Sequence, residues 1–402
     1  MSLLPRFVIM ISIATLVMAS LHYYVYTRIG RHMLLGPAEL RVLKYALVTL
    51  FGLLFCAIPM SRLLRLPATR VVMWTAYIWL GSLIVMAVVF AGADLARVAL
   101  AVLARVAPQT VDEQRRTLLS RALGLATMGT ASALIGYALY QGLRRVAVRR
   151  LAVTLQKLPA ELSGFRIVQL TDVHIGPTLD GRWLRQVVEQ VNALDADAIA
   201  ITGDLVDGPV AKLREHVAPL AELRARHGVF FVTGNHEYYA GVDEWLVELR
   251  RLGLRVLRNE RVTLRPTVSS GDRAGSNSGA AIDFLGVDDY HSGTFPGHGP
   301  DLARAVAGRD AQVPAVLLAH QPIAVGEAAQ CGVDLQLSGH THGGQIWPWG
   351  IFVRLQQPYI AGLHRHGQTQ LYVSCGTGYW GPPMRLNAPA EITEITLRSL
   401  TA

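Results

Sequence analysis

Residues Phe165–His174 read FRIVQLTDVH, an apolar run closed by an aspartate and a histidine with one residue between them. The same succession returns along the chain. AIAIT is followed by Gly203-Asp204, VFFVT by Gly234-Asn235-His236-Glu237, AVLLA by His320-Gln321-Pro322, and VDLQL by Ser338-Gly339-His340-Thr341-His342. Amphipathic stretches at Trp183–Leu194, Val210–Arg226 and Val242–Leu252 lie between the first runs. Short β-type runs alternating with helical ones predict an α/β domain. In such domains ligands gather beyond the carboxyl ends of strands, which is where the polar residues stand here.

Taken singly, each polar group is weak evidence, because an Asp-x-His or Gly-Asp pair arises readily in an acidic turn. LSGHTHGGQ (Leu337–Gln345) alone reads equally well as a polar turn with two solvated histidines. Five strand ends in order, each carrying ligand-type side chains, make a set of unrelated loops a poor explanation.

That order, D-x-H, GD, GNH, H and GHxH, resembles the calcineurin-like metallophosphoesterase superfamily over roughly Phe165–Leu397, and more narrowly its membrane-associated bacterial branch. The closing GPPMRLNAPAEITEITL resembles that branch too. The resemblance implies a β-sandwich flanked by helices with a dinuclear metal site at its edge. It implies that Asp172, His174, Asp204 and His342 surround one ion while Asp204, Asn235, His320 and His340 surround the other, with Asp204 bridging. A carboxylate can bridge two cations while imidazoles and an amide oxygen fill terminal places, and without thiolates Mn, Fe or Zn suit the set better than copper. Two ions about 3.5 to 4 Å apart can share a water, deliver hydroxide near neutral pH and neutralise phosphoryl oxygens. His236, beside Asn235, is assigned as general acid for the leaving oxygen.

Two departures from the family pattern stand out. Glu237 occupies the place where an aspartate often pairs with that histidine. Gly203–Pro209, GDLVDGP, lacks the arginine of the serine/threonine phosphatases after its second aspartate, which argues against that subgroup. Asp207 either orients a ligand or is a solvated turn residue. His364 and His366 repeat the HxH spacing but lack a glycine-framed strand end, so they are read as surface histidines. Asp288 and Asp289 could approach the site but are read as facing water, Tyr379-Trp380 either lines a pocket or packs as an aromatic turn, and Ser269–Gly279 is a flexible loop between strands.

Upstream, the composition changes near position 150, giving an expected membrane region at 1–150 and a catalytic domain at 151–402. The first part carries 17 Lys and Arg against 4 Asp and Glu, the second 21 against 25. The basic pI therefore belongs to flanks of apolar segments, and no nucleic-acid partner is expected from the acidic second part. Phe7–Tyr26, Tyr45–Pro59, Val71–Ala93 and Leu123–Tyr140 are predicted transmembrane helices, the second the shortest, with Leu95–Ala107 extending the third or lying on the interface. Asp94 is the only borderline charge, so transport has no support. Cys56, Cys331 and Cys375 form no paired spacing, which argues against a disulfide framework or a thiolate metal site.

The expected protein is a multi-pass one of the bacterial inner membrane, with the bilayer and a phosphate-containing substrate, lipid-linked substrates included, as partners. Lys and Arg flanking the spans balance between the two sides. Arg115-Arg116-Thr117-Leu118-Leu119 resembles a twin-arginine export signal and tips the domain to the extracytoplasmic side, whereas LRRVAVRR after the fourth span favours the cytoplasm. The expected activity is hydrolysis of a phosphodiester, phosphomonoester or pyrophosphate. Two rivals are a UDP-diacylglucosamine pyrophosphohydrolase of lipid A synthesis, which requires a cytoplasmic face, and a catalytically silent membrane sensor or scaffold.

Overall fold

The apolar runs of the first part become four helices, α1 (Leu3–Met33), α2 (Pro37–Leu63), α3 (Pro67–Val106) and α4 (Glu113–Leu143). The computed structural model describes residues 3–63, 67–106, 113–265 and 279–400. Residues 269–278 of the expected loop therefore lie outside the described residues. The chain divides into two compact units, Met1–Leu143 with Gly381–Leu386 and Arg144–Trp380 with Asn387–Ala402.

In the first unit α2 and α3 both open on proline, whose fixed φ and missing N–H suit a first helical position. Val8–Met33, Pro37–Ala57, Thr69–Leu103 and Thr117–Leu143 are long and apolar enough to cross a membrane. Each outruns the expected span, and Leu95–Val106 continues α3 rather than forming a separate interfacial segment. Val25, Leu83, Phe90 and Ala131 pack together between helices, while Val8, Leu16, Val48 and Val71 face outward. Arg115 and Arg116 fall within the first turn of α4.

Asp94 is not an isolated charge. Arg28 Nε lies 2.7 Å from its Oδ2, which also accepts from the Tyr24 hydroxyl at 2.8 Å, and Arg97 lies 3.3 Å from Oδ1. Arg97 in turn reaches His32 Nδ1 at 2.9 Å. Arg28, Asp94, Arg97 and His32 thus tie α1 to α3.

In the second unit the strands are β1 (Ala147–Leu155), β2 (Arg166–Leu170), β3 (Ala198–Thr202), β4 (Val229–Val232), β5 (Arg255–Val256), β6 (Glu260–Leu264), β7 (Ile282–Gly286), β8 (Ala315–Leu318), β9 (Leu335–Ser338), β10 (Gly362–His366), β11 (Thr369–Val373) and β12 (Glu391–Ser399). They form two six-stranded sheets, in the orders β1-β12-β2-β3-β4-β5 and β10-β11-β9-β8-β7-β6. The helices are α5 (Gly181–Asn192), α6 (Val210–Val217), α7 (Asn235–Ala240), α8 (Val242–Arg251), α9 (Leu302–Val306), α10 (Val325–Gln330) and α11 (Gly350–Val353). The Val210–Arg226 stretch breaks after Val217 because Pro219 cannot continue the ladder, and a 3₁₀ segment follows at Ala218–Glu222.

Three apolar layers explain why the central runs are continuous rather than alternating. One face of β2–β4 buries Val168, Ile199, Ile201 and Phe231 against Leu184, Val188 and Trp245 of the helices. The opposite face, with Ile167, Ala200 and Phe230, meets Phe284, Val316 and Leu337 of the second sheet. Leu285, Ala315 and Leu317 then turn outward onto Leu302 and Ala305. Each buried aliphatic or phenyl side chain contributes about 1.5–3 kcal/mol, so the order helix, sheet, sheet, helix follows from strands apolar on both sides. β2, β3 and β4 are parallel neighbours in one sheet, and β8 and β9 in the other. All five polar strand ends thereby reach one rim of the sandwich. The closing AEITEITL supplies β12, parallel to β1 and antiparallel to β2.

Candidate metal centre

At that rim the chain turns sharply at five of the expected residues. Asp172, His174, Asp204, His340 and His342 have φ of 51, 51, 53, 70 and 50°, the left-handed region that residues with a Cβ rarely adopt. Such positions cost of order 1–3 kcal/mol each and persist where the surroundings over-determine them. The surroundings are backbone hydrogen bonds between loops: Asp172 N to Gly203 O at 3.0 Å, His174 N to Asp204 O at 3.1 Å and Gly339 N to His320 O at 2.9 Å. The Asp172 carboxylate also accepts from His340 N at 2.9 and 3.0 Å.

The glycines of LSGHTHGGQ divide their work. A Cβ on Gly339 would collide with the Asp172 and Thr171 side chains. Gly343 and Gly344 instead lie against Cys375 and Gly350, where a Cβ would come within 2.7 and 2.6 Å. The first keeps room beside the aspartate; the pair lets the loop pack on its support.

Two clusters of donor atoms result. Asp172, His174 and His342 form one, and Asp204, His320 and His340 the other, each with ligand atoms within 4.8 Å of one another. In the first, His174 Nε2 and His342 Nε2 stand 3.0 Å apart, with His342 Nε2 3.4 Å from Asp172 Oδ1. Asp204 Oδ2 sits between clusters, 3.9 Å from His174 Nε2 and 3.1 Å from His320 Nε2. Asn235 Oδ1 and His320 Nε2 are buried without a hydrogen-bond partner. His320 Nδ1 lies 2.7 Å from Thr202 O, and His174 Nδ1 2.8 Å from Asp207 Oδ1. Those contacts hold a ring proton on each Nδ1 and turn Nε2 inward toward the other donors. Buried, unpartnered nitrogen and oxygen donors without a thiolate fit hard or borderline divalent cations.

The titratable groups are strongly perturbed. Burial pushes Asp172 up, opposed by His320, whereas for Asp204 the surrounding His320 and His236 outweigh burial and hold it well below the carboxylate range. Burial, reinforced by His320, drives His340 down to about 3 and keeps it neutral. His320 goes the other way, to about 10, because Asp204 beside it overcomes burial.

His236 opens α7 with its backbone N–H donating to Asp204 Oδ1 at 2.9 Å and its Nε2 4.0 Å from Asp204 Oδ2. Its Nδ1 lies 2.7 Å from Asp207 Oδ1. Burial opposes its charge, but Asp204 and Asp207 raise it to about 9, while His174 and His236 bring Asp207 down to about 2 against burial. The carboxylate facing this histidine is therefore Asp207, not the neighbouring Glu237. Glu237 points away and accepts from the N–H groups of Gly234 at 2.7 Å, Asp204 at 3.0 Å and Leu205 at 2.7 Å. Burial and Asp204 push its carboxyl up.

Asp288 and Asp289 do not face water. Arg258 clamps Asp288 at 2.9 and 2.6 Å, and Gln321 donates to Asp289 at 3.2 and 3.0 Å. His364 stacks on Tyr359 and reaches Ala361 O, while His366 faces the Tyr359 hydroxyl, so neither joins a donor cluster. Tyr379 is buried, and Trp380 is exposed with its ring 5.7 Å from that of His236.

Known proteins supply the remaining context. Residues 165–344 match the family model of the calcineurin-like phosphoesterases. The chain is 40% identical over 275 residues to an uncharacterized metallophosphoesterase of Helicobacter pylori strain J99, covering 67% of this chain and 70% of that protein. It is 38% identical over 333 residues to a bovine transmembrane protein with metallophosphoesterase domain, covering 81% of this chain and 73% of the relative. It is 30% identical over 300 residues to YkuE, an uncharacterized metallophosphoesterase of Bacillus subtilis, covering 71% and 98%. With five ligand-bearing strand ends meeting at one rim and identities of this extent, the chain belongs to the calcineurin-like phosphoesterases, metal-dependent hydrolases of phosphate esters.

Proposed function

We propose that this protein is a membrane-anchored two-metal phosphohydrolase that cleaves a phosphodiester, phosphomonoester or pyrophosphate bond, with a lipid-linked substrate as the preferred class. The observation that carries the reading is Asp204 Oδ2, set between the Asp172–His174–His342 and His320–His340 donors. Asp172, His174, Asp204 and His342 would hold one divalent ion and Asp204, Asn235, His320 and His340 the other, with Mn, Fe or Zn suited to these donors. Bound there, the ions supply Lewis-acid activation of water and neutralise phosphoryl charge.

The side chains do the rest. His236, held protonated near neutral pH by Asp204 and Asp207, donates a proton from Nε2 to the leaving oxygen. Asp207 fixes the tautomers of His236 and His174 together. The exposed Trp380 stands beside the acid, its ring 5.7 Å from that of His236. Four helices long enough to span a bilayer support multi-pass anchoring in a bacterial inner membrane. The Arg115–Arg116 pair, read as a twin-arginine export signal, supports an extracytoplasmic domain.

Hydrolysis of bis-p-nitrophenyl phosphate by the full chain with Mn²⁺, compared with Asp204→Asn, tests the two-metal reading. Loss of metal-dependent turnover is expected, and full activity in the variant overturns it. A reporter fused at Ala402 tests the side. Activity confined to the cytoplasm overturns the export assignment and favours the UDP-diacylglucosamine pyrophosphohydrolase reading.

A further inference from the structure

Beyond the histidines of LSGHTHGGQ the chain runs Ile346-Trp347-Pro348-Trp349-Gly350-Ile351-Phe352-Val353-Arg354-Leu355. Trp347, Trp349, Ile351, Phe352 and Leu355 are each more than half exposed. A soluble surface rarely gathers so many large apolar side chains in one short segment. The segment is nevertheless well built. Ile346 beneath it and Gln357 after it are buried, and Gln357 binds Ile323 N and Gln321 Oε1 at 3.0 Å each. Trp349 N donates to Ile346 O at 2.9 Å, and the Trp349 and Phe352 rings pack 5.4 Å apart. The apolar side chains are thus presented outward by an ordered turn and the short helix α11.

Its composition points to what it meets. Between Asp334 and Glu391 the chain contains no carboxylate, and Arg354 lies inside the apolar segment itself. Tryptophans with an arginine and no acidic group are the composition of surfaces that sit at the headgroup level of an anionic bilayer. The same chain has four helices fit to span one. The segment is also wired to the reaction site: it leaves directly from His342–Gly344, and the Gln345 side chain makes two 3.0 Å bonds to the Trp380 backbone, whose ring faces His236.

The geometry points to Trp347–Leu355 as an interfacial surface that dips into the bilayer beside the metal centre, so that the phosphate reaching His236 is that of a lipid headgroup. This rests on the phosphohydrolase reading above and adds where its substrate comes from. In the reaction, water oxygen bonds to phosphorus as the ester P–O bond breaks, and the leaving oxygen takes its proton from His236.

The full chain is reconstituted in nanodiscs of phosphatidylcholine and phosphatidylglycerol, with and without brominated acyl chains, as wild type and as the triple variant Trp347→Ser, Trp349→Ser, Phe352→Ser. Bromine quenching of tryptophan emission in excess of that of the variant is expected for the wild type; equal quenching overturns the insertion. Turnover is then compared on bis-p-nitrophenyl phosphate in solution and on a diacylglycerol phospho-p-nitrophenol embedded in the discs, which share a leaving group. The variant is expected to keep its rate on the soluble diester within about 2-fold and to lose about 10-fold or more on the embedded one. A parallel fall on both, or on neither, overturns the delivery role. A wild type inactive on both but quenched by bromine supports the insertion and overturns the phosphohydrolase reading instead.

Discussion

Oδ1 of Asp207 lies 2.7 Å from Nδ1 of His236. The same oxygen is 2.8 Å from Nδ1 of His174, so one carboxylate orients both the proposed acid and a proposed ligand. Against burial, Asp204 and this carboxylate together raise His236 to about 9, which keeps the imidazolium present up to about that pH. Because the protonated form is the one that donates, activity dependent on it is retained below that pKa and lost above it. Asp207→Asn removes a raising contact, so the alkaline limb of the pH–rate profile moves to lower pH. An unmoved limb would show that another group sets it.

Replacing His236 by alanine removes a proton donor but no metal donor. Turnover of an alkyl phosphodiester is expected to fall roughly 10²- to 10⁴-fold. Nitrophenyl esters, whose leaving group needs little protonation, should lose far less, and Mn²⁺ content measured on the purified protein should be unchanged. Equal losses on both esters would exclude the acid role.

Glu237→Asp shortens the one side chain that accepts from Gly234, Asp204 and Leu205. Leaving buried N–H groups unsatisfied costs about 1–3 kcal/mol each. A clear fall in melting temperature is expected of the detergent-solubilised chain, with no selective loss on poor leaving groups. A selective loss would restore Glu237 as the partner of the acid.

Gly339→Ala places a methyl against Asp172 and Thr171. Displacing a ligand or its support typically costs 10- to 100-fold, so metal affinity in a titration should fall by about that factor. A variant with wild-type affinity would mean that the Asp172 loop shifts freely.

Much of the second unit was legible because its strands are apolar on both sides and end on ligand-type residues. FRIVQL, AIAIT, VFFVT, AVLLA and VDLQL all became strands at or within one or two residues of their expected bounds. The rest depended on contacts between distant residues. GDLVDGP does not reveal that Asp207 turns toward two histidines, and the acidic residue after His236 drew attention to the wrong carboxylate. Asp94 read as solitary because Arg28 lies on another helix. Asp288 read as solvated because its clamp, Arg258, comes from before a separate strand. Trp347–Leu355 has no period that reports exposure, so only the folded surface shows it.

The left-handed turns at Asp172, His174, Asp204, His340 and His342 link ion occupancy to local stability. The turns at Asp172, His174, Asp204 and His340 are held by bonds to neighbouring loops, so these donors are placed by the two sheets before any ion arrives. An ion then has little chain left to order, and its release cannot proceed one ligand at a time: several loops must relax together. Slow exchange of bound metal with chelator, and amide protection that rises on metal binding at strand ends of both sheets at once, are the kinetic marks of such a rim.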